Sequence, residues 1–258
     1  MQKMTDITSG KSAEEIQNIN TFAHKKSIVE YAGMAELFPV EEHILDNYFP
    51  SGPAQVLDLG CGGGRTTVHL AERGYQVTAG DIVPEMVEEA RKRISGVAFK
   101  VLDATCLDLP SEFFDVVWFS FNGLDYIYPF HNRLSALHEI KRVLKPGGIF
   151  VYSSHNILGR CTRINRPLIS CLLHYHLAFF YHSLRKPLLQ NYWRECHYGD
   201  NWLNTYCGIP QRQVGTLKNV GFDLLSVESS YGKSIWEITW KDFWPHYVAR
   251  KPLVERRM

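Results

Sequence analysis

The stretch from Val56 to Leu70, VLDLGCGGGRTTVHL, runs an apolar strand through Gly60, Gly62, Gly63 and Gly64 and straight into a helix. Glycine permits backbone angles closed to other residues and leaves no side chain between the chain and a ligand. A ligand at this turn meets bare amides at a helix start. The spacing is G-x-G-x-G, through Gly60, Gly62 and Gly64. A dinucleotide fingerprint, G-x-G-x-x-G, would need glycine at Arg65 so that the helix could pack closely beneath a pyrophosphate. Arg65 therefore argues against NAD and against an NAD-linked oxidoreductase.

The rest of the chain supplies a sheet for this turn. QVLDL from Gln55 reads as a strand, Gly64 to Arg73 as a helix with Gly74 as its left-handed cap, and QVTAGD as a second strand ending at Asp81. The helix from Pro84 to Ile94 opens on proline, carries Glu85, Glu88 and Glu89 early and Arg91, Lys92 and Arg93 late, and so matches the helix dipole at both ends. VAFKVLDA and FDVVWFSF follow as strands, the second nearly all apolar as a central parallel strand should be. Leu134, Leu137, Ile140, Val143 and Leu144 share a helical face, and after a Lys145–Gly148 turn comes the strand IFVYSS. Alternation of this kind predicts a parallel sheet with helices on both faces.

Before the sheet, Ser12 and Glu15 form a capping box that starts a helix, and helical patterning continues over Ile28–Phe38 and Glu41–Phe49 until PSGP breaks it. After His155 the regularity stops. Residues 156–206 are rich in His, Tyr, Trp and Arg, a helix and strand resume around QRQVGTLKNVGFDLLSVES, and SIWEITWKDFW alternates like an edge strand. The expected organisation is an N-terminal helical segment over 1–53, a core over 54–155, a helical and aromatic cover over 156–206, and completion of the sheet over 207–258.

Several classes are disfavoured. With 28 Lys and Arg against 27 Asp and Glu the net charge is +1, so no large electrostatic term draws the molecule to nucleic acid or acidic lipid. The polar start lacks the apolar core of a signal peptide, which predicts a cytoplasmic location. Cys61, Cys106, Cys161, Cys171, Cys196 and Cys207 contain no C-x-x-C pair and read as reduced thiols, with no metal site expected. Pro167–Leu184, interrupted by His174, His176 and His182, falls short of a bilayer span. It reads as a buried or lid helix, with weak docking on a membrane surface as the alternative. The oligomeric state is not legible.

Three successive strands present acids near their carboxyl ends: Asp58, Asp81, and Asp103 followed by Ala104. Open α/β sheets bind ligands at that edge. One carboxylate can accept from both hydroxyls of a ribose, which suits Asp81, and an adenine amino group suits Asp103. Residues 55–154 resemble the core of the class I S-adenosylmethionine-dependent methyltransferases. VLDLGCGGG, GDIVPEMVEEARKR, LDATCLDLP, FDVVWFSF and LHEIKRVLKPGG match that family's five motifs in order. The resemblance implies a Rossmann-like, seven-stranded sheet whose N-terminal helices cover the cofactor site. It implies that S-adenosyl-L-methionine is the cofactor and S-adenosyl-L-homocysteine its product. By the same resemblance Gly60, Cys61 and Gly62 face the methionine part, Asp81 the ribose, Ile82 and Met86 the adenine face, Asp103 and Ala104 the adenine edge, and Phe119 and Ser120 the sulfonium. Against these stand simpler readings: Asp58 orders the loop without touching cofactor, Ile82 and Met86 are ordinary core, and Cys61 is a small loop residue rather than a nucleophile.

For the acceptor, NGLDYIYPFH after the fourth strand places Asn122, Asp125 and Tyr126 at the mouth, and SSHN after the fifth places His155 beside them. His155 suits a general base or substrate ligand, or else bonds a loop carbonyl; Asp125 orients a substrate hydroxyl or caps the next helix. His197 and Tyr206 belong to the aromatic segment suited to stacking on a sugar or heteroaromatic ring. The Asn-Pro-Pro-aromatic motif of many nucleic-acid amino methyltransferases is replaced here by Ser120-Phe121-Asn122-Gly123. The expected activity is methylation of a small polar acceptor, a hydroxyl of a sugar-like or related metabolite. The alternatives are a small amine, or a protein that binds the cofactor without turnover.

Overall fold

A computed structural model describes residues 7–159, 192–198 and 201–254. Three helices precede the sheet: α1 (Ala13–Phe22), α2 (Lys25–Gly33) and α3 (Pro39–Tyr48). The Ser12 hydroxyl accepts from the Glu15 amide at 3.2 Å while the Glu15 carboxylate accepts from the Ser12 amide at 2.9 Å, so the expected capping box starts α1. The second helix ends earlier than its periodicity suggests. Phe38 precedes Pro39, which disfavours helical angles there, and Phe38 is extended with ψ 149°.

The strands β1 (Gln55–Leu59), β2 (Gln76–Asp81), β3 (Ala98–Val101), β4 (Phe114–Phe119) and β5 (Leu144–Ser153) alternate with α4 (Arg65–Glu72), α5 (Pro84–Arg93) and α6 (Phe130–Val143). The helix α7 (Pro210–Val220), β9 (Asp223–Glu228), α8 (Ile235–Lys241) and β10 (His246–Arg250) complete a seven-stranded sheet in the order β3-β2-β1-β4-β5-β10-β9. Its pairs are parallel from β3 to β5, and β10 runs antiparallel to both β5 and β9. The strand order reverses at β1 and β4, whose carboxyl ends flank the glycine turn. Both faces of the sheet are covered. Leu57, Leu59, Val117 and Phe119 pack with Leu137 and Ile140 of α6 on one side, and Val56, Val116 and Trp118 pack with Ile44, Leu70 and Val87 on the other.

One expectation needs correction. SIWEITWKDFW is not an edge strand: Ser234 caps α8, its hydroxyl accepting from the Glu237 amide at 3.2 Å, and the final strand begins at His246. The expected cover helix, Pro167–Leu184, lies outside the described residues; what the cover adds among them is β7 (Tyr192–Tyr198) antiparallel to β8 (Asn201–Gly208). In turn β8 pairs in parallel with the short strand β6 (His155–Asn156). The hairpin is fixed to α1, where Asn18 donates to the Asn204 carbonyl at 3.0 Å and accepts from its amide at 2.7 Å. Cys161, Cys171 and Asp200 also lie outside the described residues. Among the described residues no helix is long and apolar enough to cross a membrane.

Candidate functional site

At the carboxyl ends of β1, β2 and β4 lies one cleft, closed from above by α1 and the end of α2. Gly60 sits at φ +67°, and a Cβ there would lie 2.5 Å from the Phe119 ring; Gly62, at φ +52°, would carry a Cβ into open space with only Tyr31 within 4 Å. The loop thus turns where glycine is required and leaves no side chain between its Gly60–Gly62 backbone and the cleft beyond that of Cys61. Asp81 is held by that loop: its carboxylate accepts from the Gly62 amide and from the Val83 amide, both at 2.9 Å. Burial raises its pKa, against the pull of those amides. Two amide donors leave acceptor capacity on the carboxylate for two further donors.

Asp103 stands across the cleft. Its carboxylate accepts from the Thr105 amide at 2.9 Å, the Thr105 hydroxyl at 2.7 Å and the Lys11 ammonium at 2.6 Å. Burial pushes this carboxyl up, but Lys11 and Thr105 outweigh it and hold the group below the usual carboxylate range. Ile82, Met86 and Ala104 complete this wall, while Cys61, Phe119 and Ser120 line the cleft on the side of β1 and β4. Burial, followed by the charges of Asp81 and Asp58, pushes the Cys61 thiol well up, as befits a packed loop residue rather than a nucleophile.

Asp58 does not line the cleft. It lies beneath the loop, fully buried, accepting from the Thr66 hydroxyl at 2.8 Å and the Thr67 hydroxyl at 2.6 Å, and so fixes the first turn of α4. Of the two readings of Asp58, loop ordering fits and direct cofactor contact does not. Burial raises its pKa to about 6, against the pull of the two threonines. A carboxyl raised on folding binds more protons in the folded state, so it costs stability above pH 6 and that cost disappears as pH falls toward 4. Asp58→Asn keeps an acceptor for the threonines without the charge. The variant should gain up to about 3 kcal/mol relative to wild type between pH 4 and 6 and no more above that. Urea unfolding across that range checks it, and a pH-independent difference would contradict the assignment.

The residues expected at the acceptor end separate in the structure. Tyr126 lines the cleft; Asn122, Asp125, His155, His197 and Tyr206 do not. Phe121 and Asn122 both adopt left-handed angles, φ 51° and 61°, a costly conformation for a bulky residue, and the Asn122 amide is pinned by the Ser153 hydroxyl at 2.8 Å. This kink carries the Phe121 ring into the cleft and buries the Asn122 side chain. Asp125 neither caps a helix nor faces a substrate. Its carboxylate accepts from Ser154 at 2.9 Å, Arg133 at 2.9 Å, and the amide and Nδ1 of His155 at 2.6 and 2.9 Å. Tyr206 is packed under the Arg133 guanidinium, 4.5 Å from ring centroid to Cζ, and stacks on Phe130. His197 rests against Phe22 rather than on the cleft, and burial lowers its pKa against the opposing charge of Glu30. His155 stands one ring behind the lining, 5.9 Å from Tyr126 between centroids.

Other cleft residues were not legible in the sequence. Lys11, Asn18, Phe22, Tyr31 and Met34 come from the N-terminal helices. The capping box located α1 but gave no sign of which face would meet the cleft. Arg65, marked in the sequence only as an absent glycine, forms a bidentate pair with Glu41 of α3 at 2.5 and 2.7 Å. Its guanidinium lies over the rings of Phe38 and Phe121 at 5.1 and 5.4 Å.

A bare glycine turn at the reversal of a doubly wound sheet, with acids ending the two following strands in one cleft, defines a nucleoside-binding α/β protein of the class I methyltransferase fold. Residues 56–148 match the family described as "Methyltransferase domain". The uncharacterized methyltransferase YodH of Bacillus subtilis is 37% identical over 112 residues, 42% of this chain and 46% of the relative. The ubiquinone/menaquinone biosynthesis C-methyltransferase UbiE of Desulfotalea psychrophila is 39% identical over 143 residues, 54% of this chain and 52% of the relative. The chain thus spans about half the length of these curated relatives. A crystal structure of a methyltransferase from Methanosarcina mazei superposes with a TM-score of 0.63 at 20% identity, covering 85% of this chain and 100% of the other, which is a likeness of fold.

Proposed function

We propose that this protein transfers a methyl group from S-adenosyl-L-methionine to a hydroxyl of a small acceptor. The observation that carries this is the placement of Asp81 and Asp103 in one cleft with the Gly60–Gly63 turn, whose glycines present backbone without side chains. The residues fit the cofactor: Asp81 retains acceptor capacity for ribose hydroxyls, Ile82 and Met86 offer an apolar wall for the base, and the glycine turn leaves room for the amino-acid part. When bound, the cofactor supplies an electrophilic methyl carbon whose carbon–sulfur bond leaves its electron pair on sulfur as the acceptor oxygen forms the new bond.

The chain's part in the reaction is to orient the acceptor, exclude water and remove its proton. His155, which stands one ring behind the lining beside Tyr126, is the imidazole we assign to the last of these, the proton reaching it past that ring. An Asp125 carboxylate that also receives Arg133 requires the bonded Nδ1 to donate, so the lone pair of the imidazole lies on Nε2, which makes no hydrogen bond among the described residues. The name of the Desulfotalea relative refers to quinone carbon methylation, so relatedness alone leaves the acceptor atom open.

Asp81→Ala tests the cofactor assignment. Removing a charged acceptor from two hydroxyls should weaken S-adenosylhomocysteine binding by roughly 10- to 100-fold or more, read by isothermal titration calorimetry. An undiminished affinity would remove the basis of the proposal.

A further inference from the structure

Resting on that methyltransferase reading, we infer that the acceptor is a neutral, planar, hydroxylated aromatic ring, a phenol rather than a sugar, an amine or an acid. Four rings form a continuous arc on the cleft wall. Phe22 meets Tyr126 edge to face at 4.9 Å and Tyr31 at 5.8 Å, and Tyr31 meets Phe121 at 5.9 Å. All four line the cleft, with Ile127 beside them. Rings arranged in this way offer a flat guest both edges and faces to stack on.

Asn18 and Thr66, two polar side chains of the same region, are already engaged. Asn18 uses its amide nitrogen on the Tyr126 and Asn204 carbonyls, at 2.7 and 3.0 Å, and its oxygen on the Asn204 amide. The Thr66 hydroxyl is bound to Asp58. A sugar would bring several hydroxyls to a wall with few free partners, and each buried without one costs free energy.

Charge narrows the choice further. Among the described lining residues the cations are Lys11 and Arg65, and both are neutralised, by Asp103 at 2.6 Å and by Glu41 at 2.5 Å. Asp81, which pairs with no cation among the described residues, leaves the lining net acidic. A phosphate or carboxylate on the acceptor would find no unpaired cation there. A protonated amine would be attracted, but its nitrogen has no lone pair with which to take the methyl group. A phenol suits the walls: the aryl oxygen forms the bond to the methyl carbon, the pair of the broken carbon–sulfur bond stays on sulfur, and the proton passes to solvent water or, past the Tyr126 ring, to Nε2 of His155. An aryl hydroxyl is the more acidic oxygen acceptor, so the proton transfer to imidazole is closer to balanced than from an alkyl hydroxyl.

The test uses the full chain saturated with S-adenosylhomocysteine and titrates it calorimetrically with 2-naphthol, methyl glucoside and ethanolamine. The expected result is binding of 2-naphthol at least tenfold tighter than either of the others. With S-adenosylmethionine in place of its product, mass spectrometry should detect 2-methoxynaphthalene. Phe22→Leu, which preserves an apolar side chain, should weaken 2-naphthol roughly tenfold. If S-adenosylhomocysteine binds but 2-naphthol is no tighter than the sugar or the amine, or if Phe22→Leu leaves naphthol affinity unchanged, the aromatic acceptor is wrong while the methyltransferase reading stands. If S-adenosylhomocysteine itself fails to bind, that reading falls and the inference falls with it.

Discussion

Replacing His155 with alanine is expected to slow methyl transfer by roughly 10²- to 10⁴-fold while cofactor affinity stays unchanged, the usual worth of a positioned general base. The separation follows from geometry. His155 is bound to Asp125 and flanked by the rings of Tyr126, Phe243 and Trp244, whereas the cofactor groups lie on the glycine turn and the ends of β2 and β3. The measurement is single-turnover transfer from methyl-labelled donor to the acceptor that gains a methyl group when small molecules are incubated with the enzyme. Asp125→Asn sharpens it. The amide would present a donor where the carboxylate now accepts from Arg133 and from two His155 nitrogens, so the tautomer with its lone pair on Nε2 loses its support. The pH profile of turnover should then move, which a purely structural role for Asp125 would not cause. A His155→Ala enzyme within a factor of two of wild type would remove histidine from the chemistry.

The second large effect concerns stability. Glu41→Gln should destabilise the fold by about 3–5 kcal/mol, because it leaves the Arg65 guanidinium buried without its counter-charge. The Glu41 side chain is fully buried and that of Arg65 is 8% exposed, so little solvent screening softens the loss. Replacing both partners, as in Glu41→Leu with Arg65→Met, should restore most of it, since apolar side chains of similar volume avoid the desolvation cost of both ions. Urea midpoints of the three proteins read the difference, and a loss under about 1 kcal/mol for Glu41→Gln would show the pair to be effectively solvated.

Why some of this was legible in the residues and some was not can be seen from particular elements. Strand, glycine turn and helix from Gln55 to Glu72 depend on neighbours in sequence: apolar β residues, angles open only to glycine, and a helix start. Asp81 and Asp103 were legible as residues of the cleft edge because strand ends carry a side chain to a known edge of a parallel sheet. The edge-strand reading of Ser234–Trp244 failed because alternation over so short a run does not distinguish a strand from a two-turn helix. The deciding signal, Ser234 with Glu237 three residues on, is the same capping pattern that correctly placed α1. Asp125 was misread for a different reason. A loop aspartate can satisfy a local amide or something distant, and here Arg133 of α6 and His155 at the end of β5 reach it from separate elements.

By itself, then, the sequence determined the layered sheet, the glycine cradle and the two acids that suit a nucleoside, because each follows from local backbone preference and strand direction. Only the tertiary structure decided which faces of the N-terminal helices close the cleft, that Arg65 answers Glu41, that Lys11 answers Asp103, and that His155 is held by Asp125. Those pairings join residues from 24 to 92 positions apart, and packing, not local preference, chooses between partners at such distances.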